Sequence, residues 1–226
     1  MPAYAQATKK NQTVRLAVAG LGLVGRRHVD AIEHVPGVEI VAAVDPSPEG
    51  QAFATEKGIP VFSRQLDMIV AHQPDGVILA TPTRLHVEQA LECVAAKIPA
   101  LVEKPLADNV ADAIKLVTMA EQAGVQLLVG HHRRHNPLIR KAKSMVDEGK
   151  IGQVRAVHGT CWFYKPDAYF DEAPWRKLDG AGPISVNLVH DIDLIRHLCG
   201  EVVSVQAQAC RSLRGFENED VAAAVL

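Results

Sequence analysis

Gly20-Leu21-Gly22-Leu23-Val24-Gly25 constrains this chain more than any other stretch, because of what flanks it. The apolar run Val14–Ala19 leads into it, and Val24, His28, Ala31 and Ile32 follow at helical spacing up to residue 35. That order is strand, glycine turn, helix. In such a unit Gly20 permits the turn, Gly22 lets a pyrophosphate approach the backbone, and Gly25 lets helix and strand pack closely. The helix N-terminus adds amide donors with a partial positive charge. Gly20, Gly22, Leu23, Val24 and Gly25 are therefore candidate cofactor contacts.

The same alternation runs on. A second apolar run, Val38–Val44, stops at Asp45-Pro46, and a helix is expected over about 48–57. Strands follow at 60–62, 76–80, 100–102 and 125–129, with helices at 85–96 and 109–123. Strands separated by helices predict an α/β fold with a parallel sheet covered on both faces. After Gly130 the texture changes to a helix at 137–148, strand-like segments at 153–164 and 202–209, and a helix over 184–198. These point to a second domain of α+β type. The last apolar residues, 221–226, have the pattern of a strand with no outer partner, which suggests a chain that continues.

Composition excludes several functions. The formal charge of -2, from 24 basic and 26 acidic residues, gives no field for nucleic acid or an anionic membrane. No apolar run reaches the roughly 18 residues of a membrane span, and residues 1–13 form a polar, flexible tail without the apolar centre of a signal peptide. Cys93, Cys161, Cys199 and Cys210 are far apart, as expected of reduced thiols in a cytoplasmic enzyme with no structural metal. His131, His132 and His135 lie close in sequence, but neighbours in an extended chain point in opposite directions, so no metal site is expected.

Three further segments belong on the carboxyl edge of the parallel sheet, where ligands bind in such folds. Asp45 stands 20 residues after Gly25 and can accept hydrogen bonds from ribose hydroxyls while repelling a 2′-phosphate, which favours NAD over NADP; it can equally cap the next helix. Thr81-Pro82-Thr83-Arg84-Leu85-His86 follows the fourth strand, with Thr83 a possible N-cap. Glu103-Lys104-Pro105 ends the fifth, where a lysine can touch cofactor and substrate, or remain a solvated loop residue.

Taken in order, Gly20 to Gly25, Asp45, Thr81-Pro82 with His86, Glu103-Lys104-Pro105 and His190-Asp191-Ile192-Asp193 resemble the Gfo/Idh/MocA oxidoreductase family, from about residue 14 to the end. The resemblance implies a Rossmann NAD-binding domain over 14–131. It also implies a partial α+β domain over 132–226, with an open, mostly antiparallel sheet that mediates homodimer or homotetramer contacts. It assigns Thr81, Pro82 and His86 to the nicotinamide side and Glu103 to a ribose, and makes Lys104-Pro105 a candidate cis peptide. Trp175-Arg176 stands where a family segment reaches the cofactor. Arg134, with Asn136-Pro137, fits a family segment that binds substrate; the histidines depart from that segment and bear on substrate preference. Tyr164 and Lys165, near an expected strand end, are further substrate candidates.

Oxidising a secondary alcohol needs a hydride acceptor, a proton acceptor and a group that stabilises negative charge on oxygen. Lys104 and His190 can supply the last two. Asn187 and His190 fall at i, i+3 on the expected helix, while Asp191 and Asp193 suit structural roles. Many family members carry an aspartate four residues before this histidine; here that position is Val186, and Asn187 is the nearest polar substitute. The expectation is that His190 takes the proton, Lys104 binds the alcohol oxygen and Asn187 orients a hydroxyl. Family members differ on whether the lysine or the histidine is the immediate base. The resemblance alone suggests a sugar, cyclitol or related polyol as substrate. The alternatives are a reductase or dehydrogenase of a non-sugar carbonyl or imine, and a catalytically silent dinucleotide sensor.

Overall fold

A computed structural model describes residues 13–226. The tail expected at 1–13 lies outside the described residues except for Thr13. The described chain forms two compact units, divided between Gly130 and His131.

The first unit alternates strictly: β1 (Val14–Ala19), α1 (Leu23–Ile32), β2 (Val38–Val44), α2 (Pro48–Glu56), β3 (Val61–Phe62), α3 (Gln65–His72), β4 (Gly76–Leu79), α4 (Thr83–Ala95), β5 (Ala100–Val102), α5 (Val110–Ala123) and β6 (Leu127–Val129). All neighbouring strands are parallel, in the order β3-β2-β1-β4-β5-β6. Period-two alternation sends successive residues to opposite faces. Ala17, Ala19, Ala42, Val44, Val77 and Leu79 join Met68, Cys93 and Leu116 in one core. Val18, Ala43 and Ile78 join Leu21, Val29 and Ala54 in the other. One core is roofed by α3, α4 and α5, the other by α1 and α2; each large apolar side chain so buried contributes about 1.5–3 kcal/mol.

Helix starts follow local chemistry. Ser47 accepts from the Gly50 amide at 3.1 Å ahead of α2, and Asn109 accepts from the Asp112 amide at 2.9 Å ahead of α5. Thr83 is not a cap: Pro82 occupies the N-cap and Thr83 is the first helical residue. Helix α3 has no counterpart in the sequence reading. It has eight residues, no side-chain cap at Arg64, and ends on Gln73 in the left-handed region (φ 44°) where a glycine would have marked the stop.

The second unit holds a 3-10 turn (His132–His135), α6 (Pro137–Asp147), α7 (Asp167–Asp171), a 3-10 turn (Pro174–Lys177), a π turn (Ile184–Leu188), α8 (Val189–Cys199), β7 (Gln206–Arg211) and β8 (Glu219–Val225). β7 and β8 form an antiparallel pair. Two expectations need correction. Residues 153–164 have a strand-like composition but form no strand, because among the described residues no neighbouring strand pairs with them. The helix expected over 184–198 is two segments, a π turn that passes into α8 at Val189.

Candidate functional site

Strands β1 and β4 are adjacent, yet the chain leaves them toward opposite edges of the sheet. Their carboxyl ends therefore open a crevice at a topological switch point. The three glycines at this crevice are needed for different reasons. Gly20 has φ 87°, and a Cβ there would lie 2.6 Å from the Ala80 carbonyl oxygen. A Cβ on Gly25 would lie 1.7 Å from the Gly20 carbonyl oxygen. A Cβ on Gly22 would meet no described protein atom within 4 Å. The turn is crowded at Gly20 and Gly25 and open at Gly22, ahead of Leu23 and Val24 at the start of α1, a helix end whose amides and partial positive charge attract anions.

Asp45 is buried at the end of β2 and grips this turn. Its Oδ2 accepts from the Leu21 amide at 2.7 Å, and its Oδ1 accepts from the Ser47 amide at 2.8 Å and the Ser47 hydroxyl at 2.6 Å. The cap of α2 is Ser47, so Asp45 orients the cap rather than being it. Three donors leave a carboxylate room for about one more, and the Ser47 hydroxyl can rotate away to free another position. Gly50 makes the carboxylate's position possible, since a Cβ there would stand 2.3 Å from Asp45 Cγ.

From β4 the rim continues to β5. His86 is 1% exposed; its Nε2 lies 2.8 Å from the Thr81 carbonyl and its Nδ1 2.9 Å from the Pro105 carbonyl. It therefore ties the Thr81-Pro82 segment to Lys104-Pro105, whose peptide bond is cis. The Thr81 hydroxyl donates to Gln89 Oε1 at 2.6 Å. Glu103 Oε1 lies 2.8 Å from His28 Nε2 on α1, while its Oε2 accepts from the Lys104 amide at 3.2 Å. Gly130 leaves the space for this carboxylate, 2.9 Å from where its own Cβ would stand. Burial pushes the Glu103 carboxyl up, but the His28 hydrogen bond and charge, with the Lys104 amide and ammonium, more than reverse it and hold the group below the ordinary range. His28 and Gln89 were not legible as site residues, because their partners lie 75 and 8 positions away with no periodic relation.

In the second unit the sequence candidates sort differently. His190 lies one residue into α8, and the ring of His132 meets it edge-on at 5.0 Å between centroids. Asn187 lies in the π turn, so the i, i+3 face expected for Asn187 and His190 is interrupted. Arg134 forms a bidentate pair with Asp193: Nε donates to Oδ2 at 2.9 Å and Nη2 to Oδ1 at 2.5 Å. Arg133 donates to Asp191 at 2.8 Å. Burial pushes the Asp193 carboxyl up, and Arg134 with the nearby His131 and His197 bring it below its usual range. The two aspartates thus latch the 132–135 turn onto α8. Arg176 stacks at 4.0 Å over Tyr169 and donates to its carbonyl, Trp175 is half exposed, and Tyr164 is 84% exposed on the irregular segment. Among the described residues no group of histidine, cysteine or carboxylate side chains is arranged to hold a metal. The cysteines are all free thiols, and among the described residues no helix is long and apolar enough to cross a membrane.

Residues 14–131 match the model of the Gfo/Idh/MocA oxidoreductase family with an NAD-binding Rossmann fold, and residues 139–226 match the C-terminal domain model of the same family. The chain belongs to the Gfo/Idh/MocA family. Among its curated relatives, the inositol 2-dehydrogenase of Mycolicibacterium smegmatis is 33% identical over 196 residues, covering 84% of this chain and 54% of that protein. The 4-carboxy-2-hydroxymuconate-6-semialdehyde dehydrogenase of Sphingobium is 29% identical over 205 residues, covering 86% of this chain and 62% of that protein. A solved structure, the WlbA dehydrogenase of Bordetella pertussis with NADH and UDP-GlcNAcA, superposes with a TM-score of 0.89 at 31% identity, over 95% of this chain and 63% of that one. The chain thus spans less than two thirds of the length of these relatives.

Proposed function

We propose that this Gfo/Idh/MocA chain belongs to an NAD-dependent dehydrogenase that oxidises a hydroxyl-bearing carbon of a sugar, cyclitol or related polyol. The observation that carries the reading is the continuous rim of the first unit, from Gly22 and Asp45 through Thr81 and His86 to Lys104-Pro105. It fits a dinucleotide: an open phosphate cradle at Gly22, a carboxylate near the glycine turn, and a lysine at the end of β5. The bound dinucleotide supplies the hydride acceptor. Asp45 favours a ribose with free hydroxyls and repels a 2′-phosphate, hence NAD rather than NADP. Lys104 binds the alcohol oxygen and stabilises its developing negative charge, His190 accepts the hydroxyl proton, and Asn187 orients a neighbouring hydroxyl. Thr81, Pro82, Trp175 and Arg176 are proposed cofactor contacts. Glu103, already engaged by His28, is proposed to act mainly by fixing Lys104, and Arg134 by holding α8 through Asp193.

The names of the relatives agree with this class: inositol dehydrogenation and a nucleotide sugar acid bound beside NADH both involve ring hydroxyls. A second reading, a non-sugar carbonyl metabolite, draws on the semialdehyde dehydrogenase relative and on Val186 at the position where an aspartate is common. A cytoplasmic homo-oligomer is proposed with either. Titrating NAD and NADP into the protein, then screening polyols, sugar nucleotides and semialdehydes for NADH formation, tests the assignment. Tighter binding of NAD and turnover of a polyol or sugar are expected; NADP binding as tight as NAD, or turnover confined to semialdehydes, contradicts it.

A further inference from the structure

Glu217-Asn218-Glu219, which end on the first residue of β8, hold two other pieces of chain in the second unit. The Glu217 amide donates to the Lys177 carbonyl at 3.0 Å. Asn218, 3% exposed, donates through Nδ2 to the Arg176 carbonyl at 2.8 Å. Glu219 Oε1 accepts from the Ile184 amide at 2.9 Å, at the first residue of the π turn. The fit around Glu219 is close: a Cβ on Gly182 would lie 2.0 Å from Oε2 and 2.1 Å from Cδ, so a larger residue there would push this carboxylate aside.

Ile184 is the link between that carboxylate and α8. Its amide is held by Glu219, while its carbonyl accepts from the Val189 amide five residues on, the bond that makes the turn π rather than α. A π turn holds one residue more than an α turn. Its relaxation to α geometry would rotate Asn187 by about 100° relative to His190, one residue's step at 3.6 per turn.

We propose that Glu219 is a positioning residue: by fixing Ile184 it keeps the π turn, and with it the relative orientation of Asn187 and His190. The two residues before it hold Arg176 and Lys177 to the same strap. The proposal rests on the dehydrogenase reading for the roles of Asn187 and His190, and on the hydrogen-bonded geometry alone for the strap itself.

The test uses the whole protein with Glu219→Ala, Glu219→Gln, Gly182→Ala and the double variant Gly182→Ala/Glu219→Ala. Glu219→Ala should speed amide exchange over residues 184–190 by about tenfold or more. With the alcohol identified by NADH formation, it should also lower kcat about tenfold while leaving NAD affinity within about twofold. Glu219→Gln keeps an oxygen that accepts from Ile184 and should restore slow exchange and most of kcat. Gly182→Ala should resemble Glu219→Ala, and adding it to Glu219→Ala should change exchange by less than about twofold, because the clash has gone. Exchange unchanged in Glu219→Ala, a Gln variant as defective as Ala, or additive effects in the double variant would overturn the proposal. Should the protein oxidise no alcohol, the dehydrogenase reading fails, while exchange and the double variant still decide the strap.

Discussion

Gly22 and Gly25 differ by what a methyl group would meet, and that difference separates binding from folding. Gly22→Ala adds a Cβ into open space at an ordinary φ of -71°, so stability should change by less than about 0.5 kcal/mol while NAD affinity falls at least about tenfold. Gly25→Ala forces a Cβ toward the Gly20 carbonyl and should cost about 3 kcal/mol or more. Urea unfolding together with NAD titration distinguishes the two. Glu103 supplies a second residue-scale test. Its carboxyl is held below the ordinary range, so its contribution to stability is present above the unfolded-state pKa, about 4.3, and is lost as pH falls through the lower folded value. Asp193 has the same sign. Glu103→Gln should therefore flatten the loss of stability below pH about 4 without removing it; an unchanged acid limb in thermal unfolding would contradict the assignment.

Among elements, α8 is held by charge from outside itself. The Arg134 side chain is 37% exposed but that of its partner Asp193 only 5%, so removing the arginine leaves a buried carboxylate with fewer donors. Arg134→Ala should cost about 2 kcal/mol, between an exposed and a fully buried pair because water reaches the arginine side chain, and should raise exchange in α8 amides. Asp193→Ala in the same background should add little. The family resemblance alone points Arg134 toward substrate, and sequence order carries no sign of its partner 59 residues away. The same limit hid the Glu103–His28 contact and the strap at Glu217 to Glu219. By contrast, β1, β2, α2 and α5 were legible from apolar runs, helical spacing and the proline at the start of α2, since these signals act within a few residues. The π turn was not, because apolar spacing over five residues cannot distinguish one inserted residue from a regular helix.

For the molecule, the first unit was the more legible because each βαβ step repeats one rule and the glycine turn fixes where the crevice opens. The second unit depends on pairing between distant segments, and composition at 153–164 predicted a strand for which the described chain supplies no neighbour. The proposed function follows the same division: Lys104 stands on a rim tied by His86 and Glu103, whereas the contribution proposed for the second unit rests on His190 in α8 and on Asn187 in a π turn the sequence did not reveal. The most direct test of dehydrogenase chemistry is the turnover of Lys104→Met beside the unaltered protein, at saturating NAD and with the best alcohol from the screen. A fall in kcat of about 10²-fold or more with NAD affinity within about threefold is predicted. Near-normal turnover in Lys104→Met would contradict the account.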